Sequence, residues 1–354
     1  MGNRVIQILP TISYGDAVSN DVLLKYDVLK RMGCDTDIYA ENIGPRMSEK
    51  AKSMKDLKPN KDDVVIFHMA IGSPLSQVIR ELPAKRKVMV YHNITPAHFF
   101  SNYNKVLYDL CMEGRKQLAV LRGTFDMSLA DSAYNKAELI ELGYENVFEL
   151  PITIRFDDYK TEPDTKILQK YKDDYVNILF VGRIAPNKKQ EDIIKCFYLY
   201  KKYINPKSRL FLVGNYLGME RYYEELCRLI SNLNLNDVYL TGHTKFEEIL
   251  AYYRLASVFL CMSEHEGFCV PLVESMFFKV PIIAFNAAAV PETMGNSGVI
   301  VNVKKYELIA ELIDQLVINK ELRRKVIESQ SRRLLDFQED KIKERFESYI
   351  RKVL

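Results

Sequence analysis

The chain has 354 residues, of which 47% are apolar and 27% charged, with 50 basic against 47 acidic side chains. That composition describes a folded globular protein of two domains at ~150 residues each, and it excludes a disordered one, because aromatics are plentiful and the net charge is only +3. Residues 1–158 hold 20 basic and 21 acidic side chains and the remainder 30 and 26, so neither half has the electrostatic footprint of a nucleic-acid binder.

Arg4–Leu9 reads as a β-branched strand closed by Pro10. A loop with Gly15 follows, and Val18–Met32 places Val22, Leu23, Tyr26 and Leu29 at helical spacing before a stop at Gly33. Thr36–Ala40, Asp63–Met69, Lys87–Tyr91, Phe125–Ala130 and Val147–Leu150 continue as strands, with helical stretches between them, notably Asn102–Arg122. Pro151–Asp164 is polar and reads as a connection. The alternation then restarts. Val176–Val181, Arg209–Val213, Asp237–Thr241, Val258–Met262 and Pro281–Phe285 are strands, and Gln190–Tyr203, Glu220–Leu233, Phe246–Ala256 and Pro271–Phe278 are helices. Strands alternating with helices predict βαβ units and parallel sheets. The fold class is therefore α/β, with two Rossmann-like doubly wound domains, 1–158 and 159–336. From Tyr306 the chain is helical and charged. A stripe of Phe337, Ile342, Phe346, Tyr349, Ile350 and Val353 suits 337–354 to packing back on the first domain.

No apolar run approaches the ~20 residues of a membrane-spanning helix, and Met1–Pro10 has no secretory signal core. Cys34, Cys111, Cys196, Cys227, Cys261 and Cys269 form no Cys-x-x-Cys pair, as expected of reduced thiols in a cytoplasmic protein.

In open parallel sheets, ligands sit beyond the carboxyl ends of the strands, and two such domains facing one another across a cleft form a favoured ligand location. The chemistry is therefore expected in loops that follow strands. After the first strand of the second domain comes Gly182-Arg183-Ile-Ala-Pro-Asn-Lys188-Lys189. A glycine permits a close backbone turn, and a guanidinium fork with a compact ammonium suits a diphosphate. A solvated basic loop is the plainer alternative for this segment alone. After Val258–Met262 comes Ser263-Glu-His-Glu266-Gly267-Phe268-Cys269-Val270-Pro271-Leu-Val-Glu274. Pro271 fits the start of a helix, so Gly267, Phe268, Cys269 and Val270 offer backbone amides at a helix N-terminus, an anion site. Glu274 can accept from a diol such as ribose, and Glu266 can face a sugar. The plainer alternative has Glu274 complementing the helix dipole and Glu266 in solvent.

Together, Gly-Arg-x-x-Pro-x-Lys and, about 80 residues on, Glu-x7-Glu enclosing Gly-Phe-x-x-Pro resemble the donor site of glycosyltransferase family 4, retaining enzymes of the GT-B architecture. Gly15-Asp16-Ala17-Val18 stands where that family has its glycine-containing loop. His68-Met-Ala-Ile-Gly-Ser-Pro and Tyr91-His92-Asn93-Ile94-Thr95-Pro96 are similar to segments of members that build bacterial surface polysaccharides. Two departures stand out. Cys269 occupies a position where the family often has a second glycine, and only one glycine is present near Gly15.

The resemblance implies transfer of a sugar, with mannose as a first guess, from a nucleotide diphosphate to the hydroxyl of a glycan or lipid-linked acceptor. Arg183 and Lys188 would hold the diphosphate, Gly15 would let amides approach the distal phosphate, Glu274 would bind ribose, and Glu266 would hold donor-sugar hydroxyls. His92, at a strand end, would lie beside the transferred sugar as a catalytic group. His68 is a lesser candidate for the acceptor side and His243 for the base, while His265 and His98 are read as surface or packing residues. Asp35-Thr36-Asp37 lies at the edge of the sheet that ligands avoid, and no His/Cys cluster has metal-ligand spacing. No metal and no cofactor beyond the donor is expected. Asn102–Arg122 mixes Val106, Leu107, Leu110 and Leu118 with Lys105, Arg115, Lys116 and Arg122. It reads either as an ordinary amphipathic helix on the sheet or as a peripheral contact with the inner membrane face. Competing functions are a nucleotide-sugar epimerase of GT-B fold and a non-catalytic sugar-nucleotide-binding subunit. A dehydrogenase is excluded by the missing Gly-x-Gly-x-x-Gly turn. The oligomeric state is left open.

Overall fold

The computed structural model describes residues 3–354 and divides into two compact units. The first comprises Met1–His98, Val106–Ile154 and Phe337–Leu354, and the second Phe99–Lys105 and Arg155–Asp336. The chain break between units falls at 154/155, and the short segment 99–105 belongs with the second unit instead of the first.

In the first unit the elements run β1 (Arg4–Ile12), α1 (Ala17–Arg31), β2 (Asp35–Ile43), β3 (Lys52–Ser53), β4 (Val64–Met69), α2 (Leu75–Glu81), β5 (Arg86–Tyr91), α3 (Lys105–Val120), β6 (Met127–Ala130), α4 (Ala133–Glu141) and β7 (Val147–Glu149). Seven parallel strands form one sheet in the order β3-β2-β1-β4-β5-β6-β7. The central strand β4 is buried at every position, as expected of a parallel strand covered on both faces. Pro10 does not end β1, contrary to the sequence expectation. Pairing of β1 with β4 stops at Ile8, while pairing with β2 runs on to Ile12. One flank of β1 is thus free of a ladder partner at Pro10, where proline is tolerated.

The second unit runs α5 (Thr165–Lys170), β8 (Val176–Val181), α6 (Gln190–Tyr203), β9 (Ser208–Val213), α7 (Glu220–Asn232), β10 (Val238–Leu240), α8 (Phe246–Leu255), β11 (Val258–Cys261), α9 (Val270–Phe277), β12 (Ile282–Phe285), α10 (Val290–Met294), β13 (Val299–Val301), α11 (Tyr306–Ile318) and α12 (Lys320–Leu334). Its six parallel strands lie in the order β10-β9-β8-β11-β12-β13.

The last helix, α13 (Glu339–Arg351), returns to the first unit. Its Ile342, Phe346 and Ile350, with Val353 beyond, enter a core shared with Val5, Val28, Leu29, Val64 and Ile66. Burying each such side chain contributes roughly 1.5–3 kcal/mol, which is why a charged helix ends the chain docked on that unit. Among the described residues no helix is long and apolar enough to cross a membrane.

Candidate functional site

The carboxyl end of β8 leads into Gly182, whose amide donates to Val213 O at 2.9 Å, while Ile184 N donates to Asn215 O at 2.9 Å. This knits the loop to the end of β9. A Cβ at Gly214 would stand 2.0 Å from Gly182 O, so only glycine lets the two backbones approach. The chain then makes a tight turn at Pro186–Lys188, and α6 starts at Gln190. Because β8 and β11 are sheet neighbours, the loop after β11 meets this one. Glu264 N donates to Asn187 O at 2.8 Å, and Asn187 Nδ2 donates to His265 O at 3.1 Å.

Those two seams bring Lys188 and Glu266 into an ion pair. Glu266 is buried, and Lys188 is half-buried with 21% of its side chain exposed. Burial alone would pull the Lys188 ammonium down, but the Glu266 carboxylate and the adjacent Cys269 sulfur outweigh it and hold the group above its ordinary range. Lys188 is therefore held in its charged form. Cys269 precedes α9 with φ at 73°, a left-handed conformation that costs a non-glycine residue roughly 1–2 kcal/mol. Pro271 sits in the first turn of the helix, so the backbone around Cys269 leads into a helix N-terminus directly beside the Lys188–Glu266 pair.

Two other expected members are placed differently. The Arg183 side chain is exposed and donates to Leu217 O at 2.8 Å, on the loop after β9. Glu274, on α9, is partly buried with both carboxylate oxygens occupied. Tyr159 OH donates to Oε1 at 2.8 Å and Tyr253 OH to Oε2 at 2.6 Å. Burial raises the Glu274 carboxyl, and the two tyrosine hydroxyls work against that rise without cancelling it. No spacing in the sequence pointed to either tyrosine. The expectation that His265 is a packing residue fits its burial and its contact with Phe99 at 6.4 Å between ring centres.

In the first unit, Gly15 precedes α1 with φ at 77° and open space around it. Asp16 caps the helix by accepting from Ser19 N at 3.0 Å. His92 follows β5 at the carboxyl end of the sheet, but its ring is buried inside a polar chain. Its Nδ1 meets Asp131 Oδ2 at 2.8 Å, and its Nε2 meets His68 Nδ1 at 3.0 Å. His68 Nε2 meets Gln7 Oε1 at 3.0 Å, and Gln7 Nε2 donates to Val22 O at 3.1 Å. His68 is an interior member of β4 with no exposed surface, so it does not line an acceptor surface as the sequence suggested. Burial pulls the His68 imidazolium well below its ordinary range. Burial also works against a charge on His92, but Asp131 overrides it and the ring sits above its ordinary value.

Among the described residues two buried trios contain metal-type donors, Asp21 with His68 and His92, and Cys261 with Glu266 and Cys269. In each, the carboxylate is already paired with an ammonium, Asp21 with Lys25 and Glu266 with Lys188, so no uncompensated charge calls for a cation. Asp37 of the Asp-x-Asp sequence pairs with Lys52 at 2.8 Å.

Two doubly wound parallel sheets of this strand order, with the last helix returned to the first unit, make the GT-B fold. Residues 161–333, all within the second unit, match the family model described as "Glycosyl transferases group 1". The capsular polysaccharide biosynthesis glycosyltransferase CapM of Staphylococcus aureus is 27% identical over 59% of this chain and 56% of its own length. The O-antigen chain mannosyltransferase B of Escherichia coli is 26% identical over 42% and 39%. The chain thus spans about half or less of these curated relatives. Among solved structures, Anabaena Alr3699/HepE in complex with UDP-glucose superposes with a TM-score of 0.76 at 15% identity, over 98% of this chain and 99% of that one; a likeness at that identity is one of fold.

Proposed function

We propose that the protein is a retaining glycosyltransferase that moves a sugar, with mannose the first candidate, from a nucleotide diphosphate to a hydroxyl of a glycan or lipid-linked acceptor. One juxtaposition in the second unit carries this reading: a half-buried Lys188, held in its charged form by Glu266, beside the Cys269 backbone that opens α9. A fixed ammonium and helix-terminal amides at the carboxyl end of a parallel sheet are suited to a diphosphate leaving group. Lys188 neutralises charge as the sugar–phosphate bond breaks, an interaction that strengthens toward the transition state. Arg183 leaves Leu217 O for the same diphosphate. Glu266 orients sugar hydroxyls while holding Lys188, and Glu274 takes the ribose. Within the first unit, Gly15, with its open turn, and His92, through its charge, are the candidate functional residues. The likeness to the S. aureus capsular polysaccharide glycosyltransferase and the E. coli O-antigen mannosyltransferase supports a polysaccharide product and a mannosyl donor.

Thermal-shift screening of UDP-, GDP- and dTDP-sugars tests the donor. A ligand at 100-fold its Kd adds about 2.7 kcal/mol to the native state, and the shift should vanish in Lys188→Ala. Absence of any shift, or a shift with Lys188→Ala unaffected, overturns the reading. Change of the donor without acceptor would mark an epimerase, and binding without turnover over an acceptor panel a non-catalytic subunit. The product anomer, read by NMR, tests retention. We extend the proposal to a membrane-surface contact through α3, where Val106 is 70% and Val120 59% exposed. Failure to co-sediment with anionic vesicles removes that extension.

A further inference from the structure

We infer that Tyr159 and Tyr253 are positioning residues that aim the Glu274 carboxylate at the ribose diol, so that the connector turn at Phe156–Lys160 is a working part of the nucleotide subsite. This rests on the reading above, in which Glu274 receives ribose. Its own support is the geometry around that carboxylate.

A glutamate on a helix surface needs no fixed partner, yet Glu274 has one on each oxygen, at 2.8 and 2.6 Å, from two different elements. A carboxylate only accepts, so both phenols must donate. Neither phenol can swing away, because the rings are held. Tyr253 stacks on Phe278 at 5.0 Å with planes 8° apart. Tyr159 is enclosed by Phe277 at 5.4 Å, Phe246 and Phe278 at 5.8 Å, and Phe156 at 6.0 Å. Two fixed donors define the carboxylate plane. A carboxylate has about four lone-pair sites; the tyrosines use two, and two remain, the number a vicinal diol fills with its two hydroxyl donors. The tyrosines also favour the ionised carboxylate, against burial that raises its pKa. Removing the hydroxyls leaves burial unopposed, so the carboxyl protonates at higher pH and stops accepting from both ribose hydroxyls.

The test compares UDP and GDP with their 2′-deoxy forms by calorimetry, in the full chain and in Tyr159→Phe, Tyr253→Phe, the double variant and Glu274→Gln. Phenylalanine keeps the ring packing and removes only the donor, and circular dichroism with thermal melting confirms that each variant folds. The unsubstituted chain should prefer the ribonucleotide about tenfold or more, the scale of a hydrogen bond to a charged group. The double variant should bind the deoxynucleotide unchanged, lose about tenfold on the ribonucleotide, and bring the ratio near one. The pH at which ribonucleotide affinity falls on acidification should rise, a shift that a merely structural role would not produce. If no nucleoside diphosphate binds the unsubstituted chain, the functional reading itself fails. If binding and ribose preference are present but folded tyrosine variants keep both the ratio and the pH midpoint, the positioning inference alone is overturned. Nucleotide binding with no ribose preference also overturns it.

Discussion

The hydrogen-bond chain in the first unit fixes a protonation state. Val22 O can only accept, so the Gln7 amide nitrogen faces it and the Gln7 oxygen faces His68. His68 Nε2 must then donate, and since burial keeps that ring neutral, its Nδ1 must accept. His92 Nε2 therefore donates to His68, and with Asp131 held ionised by His92 against the burial that raises its carboxyl, His92 Nδ1 donates to that carboxylate. A ring that donates from both nitrogens is an imidazolium. Nearby, Lys25 and Asp21 form a second buried pair, and the two pairs leave the cluster balanced. Replacing Asp131 by Asn keeps the shape and strips the counter-charge. Breaking one side of a buried pair costs about 3–5 kcal/mol. At about 2–4 °C per kcal/mol for a unit of this size, the first unit should melt about 6–20 °C earlier at neutral pH. The sign in pH follows from each ring. The folded His92 value is raised, so its contribution is complete below the ordinary imidazole value of about 6.5 and is lost as pH climbs through the folded value. The folded His68 value is depressed, so its contribution is present above about 6.5 and is lost on acidification, because only the unfolded chain takes up that proton. Histidine-selective 15N NMR should find both His92 nitrogens protonated at pH 7. A His92 ring with one bare nitrogen at that pH, or an Asp131→Asn melt within 2 °C of the parent, refutes the argument.

With donor and acceptor identified, Arg183→Ala and Lys188→Ala should each lower turnover about 100-fold or more, the scale of a lost transition-state contact, and His92→Ala, whose ring nitrogens are both held by Asp131 and His68, should lower turnover through the lost buried charge. Near-normal steady-state rates in all three would remove their assignments. Cys269→Gly relieves a left-handed strain of roughly 1–2 kcal/mol but adds unfolded-state freedom of about 0.4–1 kcal/mol. Urea unfolding should therefore show the variant equal in stability or up to ~1.6 kcal/mol more stable, with donor binding retained; a clear loss would mean that the sulfur itself holds the loop. Turnover should persist in excess chelator, given that Lys188 and Lys25 already neutralise the carboxylates of both candidate metal trios. Complete loss reversed by adding a divalent ion would overturn that expectation.

What the sequence revealed and what it hid divide along a physical line. The strands were legible because central parallel strands are buried on both faces and read as continuous β-branched runs, as in Val64–Met69 and Val176–Val181. Two edge strands were not assigned: Lys52–Ser53, with two residues, is too short to leave a pattern, and Val299–Val301 is a three-residue β-branched run, shorter than the runs that read as strands. Segment 99–105 was assigned by proximity in the chain to the first domain. Its side chains settle it in the second unit, where Tyr103 OH donates to Glu225 at 2.9 Å and Asn104 Nδ2 to Gly218 O at 2.8 Å. His68 looked like a strand-end ligand and proved interior, because burial of a lone polar residue in an apolar run depends on a partner such as Gln7, 61 positions away.

The sequence pointed Lys188 to a diphosphate and Glu266 to a sugar without pairing them, yet their meeting has a topological reason that strand order makes available. Both residues follow strands of one parallel sheet, and β8 and β11 pair directly, Val258 with Ile178 and Phe259 with Leu179. Neighbouring strands lie ~4.8 Å apart, so loops leaving their carboxyl ends must share space whatever their sequences. A cation in one and a carboxylate in the other then find each other within a side-chain length. Tyr159 and Glu274 share no such geometry. The tyrosine arrives on the connector turn, 115 positions earlier, and only the packed ring cluster of Phe156, Phe277 and Phe278 brings its hydroxyl to the carboxylate. The sequence therefore exposes contacts imposed by strand order and conceals those imposed by side-chain packing. The nucleotide subsite proposed here is built from one of each.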